Sequence, residues 1–96
     1  MRFNLTAILF FLGSIIYAQQ TLQGTVVESE TNLPIPGATI LVKGKEIATN
    51  TDFDGLFSLR GLQPNDVLVV SSIGFKSVEV SVGTNTDIQI SLEEEV

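Results

Sequence analysis

Apolar and polar residues alternate along much of this chain. In the segment VEVSV, Val78, Val80 and Val82 fall on one face of an extended strand, and serine or glutamate occupies the positions between them. The segments 38–43 and 87–93 alternate in the same way. Because successive side chains leave a strand on opposite faces, this period of two predicts half-buried antiparallel strands.

Turn-forming residues divide the alternating segments into short strands. The pattern predicts seven of them, at 22–29, 37–43, 46–50, 56–61, 66–73, 75–82 and 86–92. The fifth is apolar on both faces from Val67 to Val70, which predicts a strand covered on both sides. Short strands separated by glycine, proline and asparagine indicate an all-β sandwich or a small barrel.

The first residues of the chain have the pattern of a targeting segment. Arg2 supplies a positive charge, Leu5–Ala18 contains no charged residue, and the small Ala18 precedes Gln19. This predicts a signal peptide at 1–18 and a mature domain at 19–96, secreted across the inner membrane. The alternative is a membrane anchor, but the apolar segment is shorter than the ~20 residues of a spanning helix.

Composition limits the classes of partner and of chemistry open to this chain. Without Arg2, four basic and eleven acidic residues remain, a net charge of −7, which disfavours nucleic acid and anionic lipid surfaces as partners. The chain has no cysteine and no histidine, which excludes most nucleophile–base pairs and zinc sites. The carboxylates of Asp52 and Asp54 lie at a predicted turn, with no pocket to raise a pKa. We therefore predict no enzyme activity, no catalytic residue and no cofactor.

The stretch TNTDFDGLFSL raises the question of a calcium loop. The first half of that pattern is met by Asn50, Asp52, Asp54 and Gly55. The twelfth position, which should supply a bidentate glutamate, is Gly61, and Arg60 beside it would repel a cation. The sequence instead predicts a tight hairpin turn at Asp54-Gly55, with Asp52 bonding to nearby amides and no metal site.

A carbohydrate site is the other candidate for specific binding. Glycan platforms usually present exposed tryptophan or tyrosine, and the predicted mature chain offers Phe53, Phe57 and Phe75 instead. Phe57 falls on the predicted core face, and Phe75 follows Gly74 at a predicted bend. The sequence gives a glycan site little support, and packing roles are the better interpretation of Phe57 and Phe75.

Taken in order, the motifs resemble the carboxypeptidase-regulatory-like domain. PIPGA at 34–38 is similar to the PLPGA element of that family, and TDFDGLF at 51–57 fits TDxxGxF. SIGF at 72–75 is similar to the family's YIGY, with serine where tyrosine is common. The resemblance covers 21–96 and is strongest to the domain that precedes the plug in SusC/RagA-type TonB-dependent outer-membrane receptors of Bacteroidetes.

The resemblance implies a seven-stranded, antiparallel, Greek-key sandwich of the prealbumin-like type. It also implies a non-catalytic accessory domain at the periplasmic face of the outer membrane, whose partner is a nutrient-uptake receptor or a TonB-system component. In the receptors, a run similar to SLEEEV leads on towards the plug, whereas the present sequence stops at Val96. Two expectations stay open: a receptor fragment, or a free-standing secreted module that binds carbohydrate or peptide.

Overall fold

The structure, a computed structural model, describes residues 20–96 and places them in two β-sheets. Its strands are β1 (Gln20–Glu28), β2 (Thr39–Val42), β3 (Ala48–Asn50), β4 (Leu56–Leu62), β5 (Val67–Ser71), β6 (Val78–Ser81) and β7 (Asp87–Leu92). Each corresponds to one of the seven strands predicted from the sequence. The predicted signal peptide and the predicted domain start at Gln19 lie outside the described residues. Within 20–96, no helix has the length and hydropathy needed to cross a membrane.

One sheet has three strands in the order β4-β1-β7, and the other has four in the order β3-β2-β5-β6. Every pair is antiparallel except β1 and β7, which run parallel from Gln23 opposite Asp87 to Glu28 opposite Leu92. The prediction of a wholly antiparallel sandwich is therefore wrong at this pair. The chain crosses to the other sheet between β6 and β7, which allows β7 to lie beside β1. Because β6 ends at the end of the sandwich where β1 begins, β7 starts there too and runs parallel to β1.

The strand directions divide the connecting segments between two ends of the sandwich. We call one end the base, formed by segments 29–38, 51–55, 72–77 and 93–96. We call the opposite end the top, formed by segments 43–47, 63–66 and 82–86.

The core lies between the two sheets and consists of aliphatic side chains and one phenylalanine. The alternation in β2 is confirmed, since Ile40 and Val42 are fully buried while Leu41 points outward and is 44% exposed. Burying such a side chain stabilises the fold by about 1.5–3 kcal/mol. The core cluster comprises Leu22, Val26, Ile35, Ala38, Ile40, Val42, Phe57, Leu59, Leu62, Leu68, Val70, Val82, Ile90 and Leu92.

Strand β5 was predicted to be covered on both faces, and the structure corrects this. Leu68 and Val70 face the core and are fully buried, whereas Val67 and Val69 on the other face are half-buried. The outer face is crossed by one ion pair, in which Lys43 Nζ lies 3.2 Å from Glu79 Oε2. Because Lys43 follows β2 and Glu79 is in β6, the pair links the two strands on either side of β5.

Candidate functional site

The Asp-x-Asp-Gly stretch forms a turn organised by one carboxylate. Asp52 Oδ1 accepts hydrogen bonds from the backbone N–H groups of Asp54, at 2.9 Å, and Leu56, at 3.0 Å. The backbone of Asp52 also accepts a bond from the Gly55 N–H at 3.0 Å. The predicted bonding of Asp52 to turn amides is confirmed, because a short acidic side chain can cap nearby donors in this way.

The prediction that this turn closes a hairpin is wrong. Strand β3 before the turn belongs to the four-stranded sheet, and β4 after it belongs to the three-stranded sheet. The turn therefore carries the chain from one sheet to the other. Gly55 has a positive φ of 76°, a backbone conformation typical of glycine in a tight turn. The local pattern predicted the backbone conformation but could not indicate which sheet the next strand would join.

The groups proposed for a calcium loop point to different places. Asn50 uses its side-chain amide to donate to Thr39 Oγ1 at 3.1 Å, and Asp52 uses Oδ1 on the turn itself. Gly61 and Arg60 lie in β4, on the way towards the top. Among residues 20–96 no group of three or more acidic, histidine or cysteine side chains is arranged to hold a metal ion. The expectation that this chain binds no metal stays a prediction.

Thr51 is buried and fastens two segments of the base together. Its Oγ1 accepts a hydrogen bond from the Ala38 N–H at 2.8 Å and donates one to the Ile35 carbonyl at 2.7 Å. Its backbone N–H donates to the Ala38 carbonyl at 2.9 Å, and its carbonyl accepts from the Gly37 N–H at 3.1 Å. The proline-containing segment is thereby held against the turn, because buried polar groups gain stability from each bond they complete.

Gly55 occupies a position where a side chain has no room. A Cβ atom there would lie 2.8 Å from the Val26 carbonyl oxygen and 2.9 Å from Pro34 Cβ. The Gly55 carbonyl also accepts a hydrogen bond from the Val26 N–H at 2.8 Å. The glycine is therefore required both by its positive φ and by the close approach of the backbone of β1.

At the top, Asp66 is the centre of a second, ionic cluster. It is 8% exposed, and its Oδ2 accepts a bond from the Gln63 N–H at 2.8 Å. Lys45 Nζ lies 3.0 Å from the other carboxylate oxygen, and the Asp66 carbonyl accepts from the Val82 N–H at 3.0 Å. One residue thus joins the three segments of the top.

The electrostatics of this cluster favour the ionised carboxylate. The hydrogen bond from the Gln63 N–H, and after it the bond from Lys45, lower the pKa of Asp66 below the usual value of an aspartate. Burial acts in the opposite direction and is outweighed. The sequence pattern placed Asp66 only at the start of the predicted strand 66–73. The partner Lys45 lies in another turn, and no local pattern connects the two.

The three phenylalanines considered for glycan stacking do not share one surface. Phe57 is in the core at 6% exposed, and Phe75 is half-buried and packed against the core. Phe53, at the tip of the turn, is 89% exposed. The packing roles predicted for Phe57 and Phe75 are confirmed, and Phe53 alone of the three presents its ring to solvent.

The acidic end of the chain pairs with the bend at 72–77. Lys76 N–H donates to the Glu93 carbonyl at 2.8 Å, and Glu95 N–H donates to the Gly74 carbonyl at 2.9 Å. A bridge between Phe75 and Glu94 lies between these bonds. Predicted strands 66–73 and 75–82 therefore end earlier and begin later than expected, because the backbone between them turns and bonds to 93–95.

Several motif residues of this two-sheet sandwich hold the turn at 51–55 or fill the core, among them Thr51, Asp52, Gly55 and Phe57. The chain belongs to the family of CarboxypepD_reg-like domains, whose family model matches residues 22–96. That range contains the PIPGA, TDFDGLF and SIGF motifs, and the resemblance read from the sequence is confirmed.

Relatives of this chain include TonB-dependent receptors. TonB-dependent receptor P26 of Formosa agariphila is 43% identical over 83 residues, which cover 86% of this chain and 8% of the receptor. TonB-dependent receptor SusC of Bacteroides thetaiotaomicron is 36% identical over 86 residues, covering 90% of this chain and 8% of the receptor. The chain therefore spans less than a tenth of the length of these relatives.

Proposed function

We propose that this chain forms a non-catalytic, periplasmic interaction domain of a TonB-dependent outer-membrane receptor for nutrient uptake, folded as a prealbumin-like Greek-key sandwich. The observation that carries the proposal is the family match over 22–96 together with similarity to receptors over most of this chain. Its partner is then another part of the receptor or a component of the TonB system.

The use made of the motif residues supports a non-catalytic role. Thr51, Asp52 and Gly55 complete their hydrogen bonds and contacts within the turn that joins the two sheets. Asp66, the most deeply buried carboxylate described, has its pKa lowered, whereas a general acid at neutral pH needs a raised one. The bonds and contacts of these groups hold the fold, and the domain acts through the shape and charge of its surface.

The first test reads the gene and then removes the domain. Sequencing beyond the codon for Val96 should show an open frame that continues into a plug. An in-frame deletion of 21–96 should lower growth on the receptor's nutrient while the receptor's abundance in outer-membrane fractions stays unchanged. A stop codon at this point, with no receptor gene nearby, would contradict the proposal, as would uptake that the deletion leaves intact.

A free-standing binding module is the second candidate, and the exposed ring of Phe53 favours it. An aromatic ring that is 89% exposed could stack on a sugar or grip a peptide side chain. Calorimetry of the isolated domain against a panel of oligosaccharides tests this directly. Binding heat that is lost in the Phe53→Ser variant would support a free-standing binding module. If no oligosaccharide gave heat, a glycan-binding module would be excluded.

A further inference from the structure

Large apolar side chains are exposed at the base of the sandwich. Leu33 is 60% exposed, Phe53 is 89% exposed and Ile73 is 99% exposed, and they lie in three different base segments. Leu56, which begins β4 at the same end, is 47% exposed. Single exposed apolar residues are ordinary, but several at one end of a small domain mark a surface for interaction.

Neither Phe53 nor Ile73 is required by its own turn. The turn around Phe53 is held by Asp52 and Gly55 through their backbone and carboxylate bonds. The turn around Ile73 is closed by a bond from the Phe75 N–H to the Ser72 carbonyl at 3.1 Å. Since the side chains at the tips contribute nothing to these bonds, the fold does not explain why they are large and apolar.

Backbone bonds connect the base segments to one another. The first segment bonds to the second through Gly37 and Thr51, at 3.1 Å, and to the end of β7 through Ser29 N–H and the Leu92 carbonyl, at 2.9 Å. The third and fourth segments are paired through 74–76 and 93–95. An open concavity of about 500 Å³ lies where the first, third and fourth segments meet. It is lined by Ser29, Glu30, Lys76, Glu93, Glu94 and Val96.

The charge of this surface is strongly negative. Its segments carry the carboxylates of Glu30, Asp52, Asp54, Glu93, Glu94 and Glu95. Lys76 is the single basic residue that the structure describes in those four segments, and its Nζ lies 3.8 Å from Glu93 Oε1. The segments of the top, by contrast, balance two lysines against one glutamate and one aspartate.

We infer that the base is the docking surface of this domain, and that it binds a segment of a protein partner in which basic residues flank aliphatic or aromatic ones. This inference rests on the proposed function and names the surface and partner chemistry of that interaction domain. Lysine or arginine side chains are attracted by the acidic rim, and apolar side chains are buried against Leu33, Phe53 and Ile73. The same negative charge repels a second copy of the chain and an anionic lipid surface.

A designed peptide tests the inference on the domain itself. The probe is a short peptide of alternating lysine and valine, and the control peptide has glutamate at every lysine position. Titration of the isotope-labelled chain is followed by amide NMR. The lysine peptide should shift resonances in the four base segments, more weakly as salt is raised, and the glutamate peptide should shift none.

Matched variants separate the apolar and charged contributions. The pair Phe53→Ser and Ile73→Ser should weaken peptide binding about tenfold, while Leu41→Ser on the outer sheet face changes it less than twofold. The triple variant Glu93→Gln, Glu94→Gln and Glu95→Gln should also weaken binding about tenfold. Its control, with the same change in net charge, is Glu46→Gln, Glu79→Gln and Asp87→Asn, which should leave affinity nearly unchanged.

Each other outcome overturns the inference. It fails if neither peptide binds, if the glutamate peptide binds equally well, or if the shifts lie at the top or along a sheet edge. It also fails if the chain without peptide dimerises through the base, or if vesicles of anionic lipid shift the base resonances instead. Failure here, with nutrient uptake still lost in the 21–96 deletion, would remove the docking surface and leave the proposed function standing.

Discussion

The two ends of the sandwich are held together by different chemistry. At the top, the ionised side chain of Asp66 joins three segments through Gln63 and Lys45. At the base, Thr51 and Gly55 join the segments through neutral hydrogen bonds and close backbone contact. The acidic Asp52 of the base bonds only within its own turn, whereas the buried acid of the top joins different segments.

The difference suggests how a small domain separates stability from surface chemistry. Because the segments of the base are joined by buried neutral groups, exposed side chains at the turn tips, such as Phe53 and Ile73, can vary in charge and size without loosening the fold. At the top, the charged carboxylate of Asp66 itself joins the segments, so its protonation changes the stability of the fold. Substitutions at the two ends should therefore have distinct signatures.

The largest effect is expected from Gly55→Ala at the base. The added Cβ would meet the Val26 carbonyl oxygen at 2.8 Å and Pro34 Cβ at 2.9 Å, at a φ of +76°. We expect a loss of about 2–4 kcal/mol in the free energy of unfolding, from backbone strain together with overpacking. Urea denaturation followed by circular dichroism measures it.

Gly44→Ala at the top is the matched control. Gly44 has a similar φ of +80°, but nothing lies within 4 Å of an added Cβ. Strain alone should cost about 1–2 kcal/mol there. Equal losses at the two glycines would mean that close approach contributes nothing at Gly55, and that the base is not held in the way described.

Thr51→Val should produce the second largest effect. Valine has nearly the same shape as threonine but leaves the Ala38 N–H and the Ile35 carbonyl without their buried partner. We expect a loss of about 2–3 kcal/mol in the free energy of unfolding, measured by urea denaturation. The control, Thr49→Val on the half-buried edge strand β3, should change stability by less than about 0.5 kcal/mol. If both variants lost a similar free energy of unfolding, the buried hydroxyl bonds of Thr51 would not be what stabilises the base.

The top should respond to acid through the Asp66 carboxylate. The pKa of Asp66 is lowered in the folded state, so its contribution to stability is present above the unfolded pKa of about 3.9 and is lost as pH falls through the folded pKa. Thermal melts from neutral to strongly acidic pH should show the Tm falling most steeply below this value. Asp66→Asn should lower the Tm at neutral pH and flatten the decline in acid.

Exposed carboxylates of the base supply the control for this pH dependence. Glu94→Gln removes an exposed carboxylate from the acidic surface of the base. The decline of Tm with falling pH should be the same in this variant as in the unsubstituted chain. If Tm depended on pH in the same way in Asp66→Asn and Glu94→Gln, the ionised Asp66 would not be the group that joins the segments of the top.

Local sequence patterns predicted the strands but not the way they assemble. The alternation around Ile40 and Val42 revealed the buried face of β2, since the period of two is a property of one strand. Val67 and Val69 were misplaced because their run of apolar residues says nothing about whether a second layer exists. The parallel partner of β1 was missed because the choice between sheets depends on contacts far apart in sequence.

The candidate site divides in the same way. Gly55 and Asp52 were predicted because a turn's φ angles and capping bonds are set by adjacent residues. Asp66 and Lys45 were not predicted as a pair, since 21 positions separate them and only the folded chain brings them together. The buried role of Thr51 was likewise hidden, because its hydroxyl partners lie 13 and 16 positions earlier.

The smallest stability effect is expected from the exposed apolar side chains of the base. Phe53→Ser and Ile73→Ser remove side chains that are 89% and 99% exposed, and should change the free energy of unfolding by less than about 0.5 kcal/mol each. Phe57→Leu is the control, because Phe57 is only 6% exposed and its loss of packing should cost about 1 kcal/mol. Urea denaturation of the three variants compares them on one scale. If Phe53→Ser cost as much as Phe57→Leu, the ring at the tip would be holding the fold, and the division between fastening residues and surface residues at the base would be wrong.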